Sequence, residues 1–162
     1  MLKQGPANDR SAEQLLLSIG RMLHARGDHA AGLRLVRRSL ELEPSASGYH
    51  LLATFQAGAG QAAEERHSLE RALALDPKYA PARLDLAVRL AQEGRRADAR
   101  REIERVVAEQ PYFAKARYAG IAVRLSLGQR AEAEKGVAEL EAHAPGSDEA
   151  RKARRLLEEN PS

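Results

Sequence analysis

The side chains able to do chemistry are common in this sequence, but few have the spacing that a catalytic or metal-binding reaction needs. Five histidines are present, and two of them, His24 and His50, share a helical phase. If their helices run parallel, they stand seven residues apart along the axis, about 10 Å of rise. Ligands of one zinc ion lie far closer together, so no metal site is expected. Gly58-Ala59-Gly60 opens like a dinucleotide fingerprint, but Ala63 stands where the third glycine belongs and no strand pattern precedes it. No serine occupies a nucleophile turn of the GxSxG kind. The carboxylates nearly all have an arginine or lysine beside them on helix faces, without the isolation that shifts a pKa for acid–base work. There are no cysteines, which removes disulfides, thiolate metal sites and thiol catalysis. The sequence predicts no catalytic residue, no metal and no cofactor: it is not an enzyme's. The densest charge run is Arg95, Arg96, Arg100, Arg101 and Arg105, interrupted by Glu102 and Glu104. Without interleaved aromatic rings it reads as a solvated face, and secondarily as a basic patch for phosphate or an acidic partner.

These side chains hang on a repeating frame. Glycines fall at Gly27, Gly60, Gly94 and Gly128, and seventeen residues after each stands a proline, at Pro44, Pro77, Pro111 and Pro145. The spacing between repeats is 33, 34 and 34 residues. Eight residues before the prolines stand Val36, Leu69, Ile103 and Val137; five before stand Ser39, Ala72, Val106 and Leu140. Apolar residues recur at the 3.6-residue period of packed helices, as in Leu16, Ile19 and Leu23 or Leu86, Ala87 and Leu90. Alanine and leucine dominate the apolar stock and aromatics are 4% of residues, which favours helix over strand.

This frame resembles the tetratricopeptide repeat family, whose units are 34-residue helix-turn-helix pairs with a proline after the second helix. The resemblance covers roughly residues 13–146. It implies an all-α, right-handed solenoid of about nine helices. Residues 1–10 form a disordered lead before a cap at Ser11, and four repeats follow at about 13–45, 46–79, 80–113 and 114–147. A polar helix over 147–160, capped by Ser147, closes the stack. Three departures are expected to perturb packing. Gly32 stands where the family has alanine. Glu65 stands where Ala99 and Ala133 sit and should snorkel to solvent. Arg124 falls where a core residue belongs, and a shift onto Tyr118, Ala122 and Leu125 would rotate the fourth repeat's first helix. In the second repeat the buried stripe is read as Tyr49, Leu52 and Ala53. Tyr79 and Phe113 share one offset and should wedge between successive repeats.

In this family the first helices line a concave groove, and the matching offsets here name its residues. The first repeat supplies Gln14, Leu17, Arg21 and His24, and the second Ser47, His50 and Thr54. The third supplies Leu84, Val88 and Gln92, and the fourth Lys115, Tyr118, Ala122 and Leu125. This lining is part apolar and part basic, which suits a peptide or helical segment with apolar anchors and negative charge. Members that hold a C-terminal carboxylate use Lys, Asn and Arg at fixed groove offsets. Here those places hold Leu17, Arg21, Leu51, Pro81 and Asp85, so that clamp is absent.

The resemblance implies a protein-interaction module or scaffold. The alternatives are a small chaperone for a secretion or cell-envelope substrate and, behind it, nucleic-acid binding through the arginine face. With 26 basic and 23 acidic residues the net charge is +3, split almost evenly between the halves, which speaks for solubility rather than a nucleic-acid field. No apolar run reaches 18 residues and the first residues lack a signal-peptide core, so a cytoplasmic location is expected. Twenty-one arginines against five lysines suggest a GC-rich bacterial source. Leu15 and Leu17 have no covering element on the first helix, an open face where two copies could pair.

Overall fold

The computed structural model describes the backbone of residues 6–160 and the side chains from residue 12 onward. Among the described residues there are nine α-helices and no strand. They are α1 (Pro6–Ala25), α2 (His29–Leu42), α3 (Ala46–Gly58), α4 (Ala62–Leu75), α5 (Ala80–Gln92), α6 (Arg96–Glu109), α7 (Ala114–Ser126), α8 (Arg130–His143) and α9 (Asp148–Glu159). The chain divides into two compact units, residues 1–82 and 83–162, with the division falling inside α5.

Each turn between paired helices depends on its glycine. Gly27, Gly60, Gly94 and Gly128 have φ of 86°, 71°, 80° and 72°, the left-handed region in which a side chain is strained. Three helices carry a side-chain cap: Asp28, Ser45 and Ser147 accept from the amides of Ala31, Gly48 and Ala150, each at 3.1 Å. The helix ahead of the first turn begins at Pro6, earlier than the expected Ser11 cap. Proline suits a first helical position because the missing N–H would have no partner there. Residues 1–5 and the Ser11 side chain, on which the expected lead and cap rest, lie outside the described residues.

In the first unit α1 packs on α2, α2 on α3, α3 on α4 and α1 on α3. Its core joins Leu17, Val36, Leu51 and Phe55, backed by Leu33, Leu40 and Leu52. Leu17 is therefore interior, 3% exposed, not an uncovered or groove residue, because α3 brings Leu51 and Phe55 over it. Leu15 and Met22 remain exposed on the outer side of α1. The buried stripe of α3 is Gly48, Leu51, Ala53 and Phe55; Ala53 is buried as expected, while Tyr49 and Leu52 are only half-buried and give way to their neighbours Gly48 and Leu51. Tyr49 is freed to lie under the Arg71 guanidinium, whose Nη2 donates to the phenol oxygen at 2.9 Å.

Two buried acids give the unit its polar interior. Glu13 is 5% exposed and its Oε1 accepts from the Ser45 hydroxyl at 2.6 Å, while the Ser39 hydroxyl donates to the Glu13 carbonyl at 3.2 Å. Ser45 thus caps α3 and ties it to α1. Glu65 is 7% exposed and has a partner in the fold, so it does not snorkel to solvent. It sits in the first turn of α4, where the helix dipole favours an acid.

In the second unit α6 and α8 pack on α7, and α9 packs on both α7 and α8. Ile121, Ala133, Val137, Leu140, Ala150 and Ala153 form one core. The first helix of the fourth repeat is not rotated: Ala116, Gly120, Ile121 and Val123 are its buried residues, and Tyr118, Ala122 and Leu125 are half-buried. Gly120 makes this possible, because a Cβ there would come within 3.2 Å of both the Ile103 methyl and the Arg124 guanidinium. Arg124 lays its long stem over that glycine instead of demanding a rotation.

The absent alanine at Gly32 has a steric cause. A Cβ there would stand 2.7 Å from the Phe55 ring and 2.9 Å from the Gly20 carbonyl oxygen, so the bare backbone of α2 at Gly32 takes both the backbone of α1 and the Phe55 ring of α3. Gly32→Ala should gain helix propensity of about 1 kcal/mol yet lower net stability by about 1–3 kcal/mol. Denaturant unfolding checks this; equal or greater stability would mean that Phe55 can move aside.

Candidate functional site

The second unit contains a cleft of about 560 Å³, within the range of binding pockets. Helix α5 supplies Leu84, Asp85, Val88, Ala91 and Gln92, and α7 supplies Lys115, Tyr118, Ala119, Ala122, Val123 and Ser126. Ile103 of α6 contributes apolar surface, Arg96 a charge, and α9 adds Glu149 and Lys152. These helices line it because their apolar stripes are wider than the core needs. Leu84 and Val123 are buried at 8% and 7%, while Val88 keeps 44% of its surface although it is aliphatic.

Six residues read from the sequence meet here: Leu84, Val88, Gln92, Lys115, Tyr118 and Ala122. Leu125 does not join them; it packs against the core beneath α8 and α9. Arg96, Glu149 and Lys152 were not foreseen as lining, and Asp85 was read only as a departure from the carboxylate clamp. The heptad step from Asp85 to Gln92 would have found Asp85, but no local signal in α9 shows which neighbour its polar face meets. Among the described residues Arg96, Lys115 and Lys152 form no ion pair, whereas Asp85 has a partner in the fold. The cleft is thus an apolar trough edged by three cations and by the two acids Asp85 and Glu149.

The first-unit positions do not converge in this way. Gln14 and Arg21 are exposed, and Ser47, His50 and Thr54 are half-buried. Thr54 spends its hydroxyl on the His50 carbonyl at 3.1 Å, and His50 stands edge-on to Tyr79 with ring centres 5.5 Å apart. His24 packs edge-on against Phe55 at 4.5 Å, and its Nδ1 lies 3.1 Å from the Nδ1 of His29. A smaller cavity of about 220 Å³ near Phe55 is lined by His29, Arg37, Gln56 and Gln61 and by none of the positions predicted for this unit.

The arginine run separates. Arg96 belongs to the cleft, while Arg95 and Arg101 both pair with Asp98, Arg105 with Glu102, and Arg100 with Glu104. The hydrogen bond from Arg95, joined by the charges of Arg95 and Arg101, holds the Asp98 carboxyl below the usual carboxylate range. Most of this face is internally neutralised. Glu102 also takes Arg83 at 2.6 Å, a pair whose side chains are only 12% and 18% exposed, and this joins α5 to α6 behind the cleft.

The profile of the tetratricopeptide repeat matches residues 55–119, across the turn and helix pairs just described. Solved helical-repeat structures agree along most of the chain. PilF of Pseudomonas aeruginosa superimposes with a TM-score of 0.80 at 16% identity, covering 96% of this chain and 79% of that one. Residues 55–119 thus match the tetratricopeptide repeat, and the fold of the chain is that of a helical-repeat protein. YrrB, described as a tetratricopeptide-repeat protein with an unusual peptide-binding site, gives 0.71 at 20% identity, covering 91% of this chain and 76% of that one. The first tetratricopeptide-repeat domain of Spaghetti (RPAP3), solved with an HSP90 peptide, gives 0.63 at 19% identity, covering 70% of this chain and 90% of that one. No curated protein matches in sequence. Among the described residues no helix is long and apolar enough to cross a membrane.

Removing Glu102 leaves Arg83 in a poorly hydrated place, so Glu102→Ala should cost about 1–3 kcal/mol. Arg105→Ala, which removes only an exposed partner of the same carboxylate, should cost under about 1 kcal/mol. Thermal unfolding of the two variants checks the ordering; equal losses would mean that the α5–α6 pair holds no privileged position.

Proposed function

We propose that this tetratricopeptide-repeat chain is a non-catalytic protein-interaction module and that the cleft of the second unit receives a peptide or helical segment of its partner. The observation that carries the reading is the aliphatic trough in which Val88 stands exposed, edged by the cations Arg96, Lys115 and Lys152, which form no ion pair among the described residues. Burying such a surface against apolar side chains supplies the driving force, at about 25 cal/mol per Å². The cations select for acids beside those anchors, chiefly through orientation and association rate. A partner segment of large apolar residues with neighbouring Asp or Glu fits both requirements. Fold neighbours that hold peptides, YrrB and the RPAP3 domain, support this reading by analogy of fold. The carboxylate-clamp residues of tail-binding relatives have no counterparts at Leu17, Arg21, Leu51, Pro81 and Asp85, so an internal segment suits the chain better than a C-terminal tail.

Peptides selected from a random display library should therefore be enriched in acids flanking Leu, Ile or Phe. In fluorescence anisotropy, Val88→Asp and the Lys115→Glu, Lys152→Glu pair should each weaken them roughly tenfold or more, about 1.4 kcal/mol. Binding should also weaken as salt is raised. Selected peptides whose affinity is indifferent to both variants would place the working surface elsewhere.

A further inference from the structure

We infer that His24 and His29 form a site for a divalent transition-metal cation, with Cu(II) preferred over Ni(II) and Zn(II). The two imidazoles come from opposite sides of the first turn: His24 ends α1 and His29 opens α2, while Gly27 at φ 86° and the Asp28 cap fold one back on the other. Their Nδ1 atoms are 3.1 Å apart. With metal–nitrogen bonds of about 2.0 Å, that separation closes an N–metal–N angle of roughly 100°, suitable for tetragonal or tetrahedral coordination. Both rings are already held in place. His24 stands edge-on to Phe55 at 4.5 Å and to His29 at 4.8 Å, and Phe55 itself is 6% exposed. A cation therefore meets two ordered donors and does not have to order them itself.

A second observation points the same way. His29 lines the small cavity together with Gln56 and Gln61, and the Oε1 of Gln56 is buried without a hydrogen-bond partner. An orphaned oxygen acceptor is a ready partner for the cation or for a water bound to it. Arg37 lines the same cavity and opposes positive charge. Among the described residues no group of three or more His, Asp or Glu side chains gathers around a common point. The site is thus two imidazoles, its remaining positions open to water or to an oxygen donor such as the Gln56 amide. Without metal, one Nδ1–H donates to the other Nδ1. On binding, the donor ring moves its proton to Nε2, so both Nδ1 lone pairs face the cation and no proton is lost from the pair.

The preference for Cu(II) follows the general order of divalent affinities at nitrogen sites. The probe is tag-free full-length protein titrated with Cu(II), then Ni(II) and Zn(II), by calorimetry, with electron paramagnetic resonance of the copper form. One equivalent of Cu(II) should bind with hyperfine structure from two imidazole nitrogens. His29→Ala and His24→Phe, the latter keeping a ring on Phe55, should each lower affinity about tenfold or more, while His50→Ala leaves it unchanged. Circular dichroism confirms that each variant folds. Absence of binding at about 100 μM Cu(II), or binding unchanged in a His24→Phe, His29→Ala double variant, overturns the site and leaves the pair as a hydrogen bond only.

Discussion

The fold depends on how closely small and aliphatic side chains let successive helices approach. A helix pair exposes an apolar face that it cannot bury alone, and the next pair must cover it. At the four repeated positions eight residues before the prolines, Val36, Leu69, Ile103 and Val137 are 0–5% exposed. Five residues before them, Ser39, Ala72, Val106 and Leu140 are at most 1% exposed. Where backbone must approach closer than alanine allows, Gly32 admits the Phe55 ring and Gly20 admits Val36. The turn glycines then reverse the chain at a near-constant spacing.

The same packing generates the candidate site. In the second unit the buried stripes are satisfied by Ile121, Val137, Leu140 and the two alanines of α9. Aliphatic surface on α5 and α7 is left over, and Val88, Ala119 and Ala122 remain along a trough. On the proposed reading this surplus apolar surface, flanked by Arg96, Lys115 and Lys152, receives a partner segment. The charged face of α6 differs because Arg95, Arg100, Arg101 and Arg105 already have carboxylates one helical turn away.

What was legible in the sequence was whatever repeated. The glycine and proline frame located the turns, and the 3.6-residue stripes located the helices to within a few residues. The transferred offsets brought Leu84, Val88, Gln92, Lys115, Tyr118 and Ala122 into one cleft. The exceptions were fixed by neighbours that no local pattern names. Leu17 went to the core because α3 covers it, and Glu65 stayed buried in the first turn of α4. The α7 register was kept by Gly120, where Arg124 found room without rotating the helix. The pairing of His24 with His29 was invisible to a rule that compares equivalent offsets, since the two sit five residues apart across a turn. The contribution of α9 to the cleft was hidden because its polar composition fits a solvated cap equally well.

The central claim is that the chain works by seating a partner segment in the α5, α7 and α9 trough. The most direct measurement is hydrogen–deuterium exchange, resolved by peptide, on the protein with and without a selected apolar-acidic ligand. The account predicts slowed exchange confined to α5, α7 and α9, with α1–α3 and the outward turn of α8 unchanged. Protection confined to the first unit, or to the arginine-rich face of α6, would contradict it.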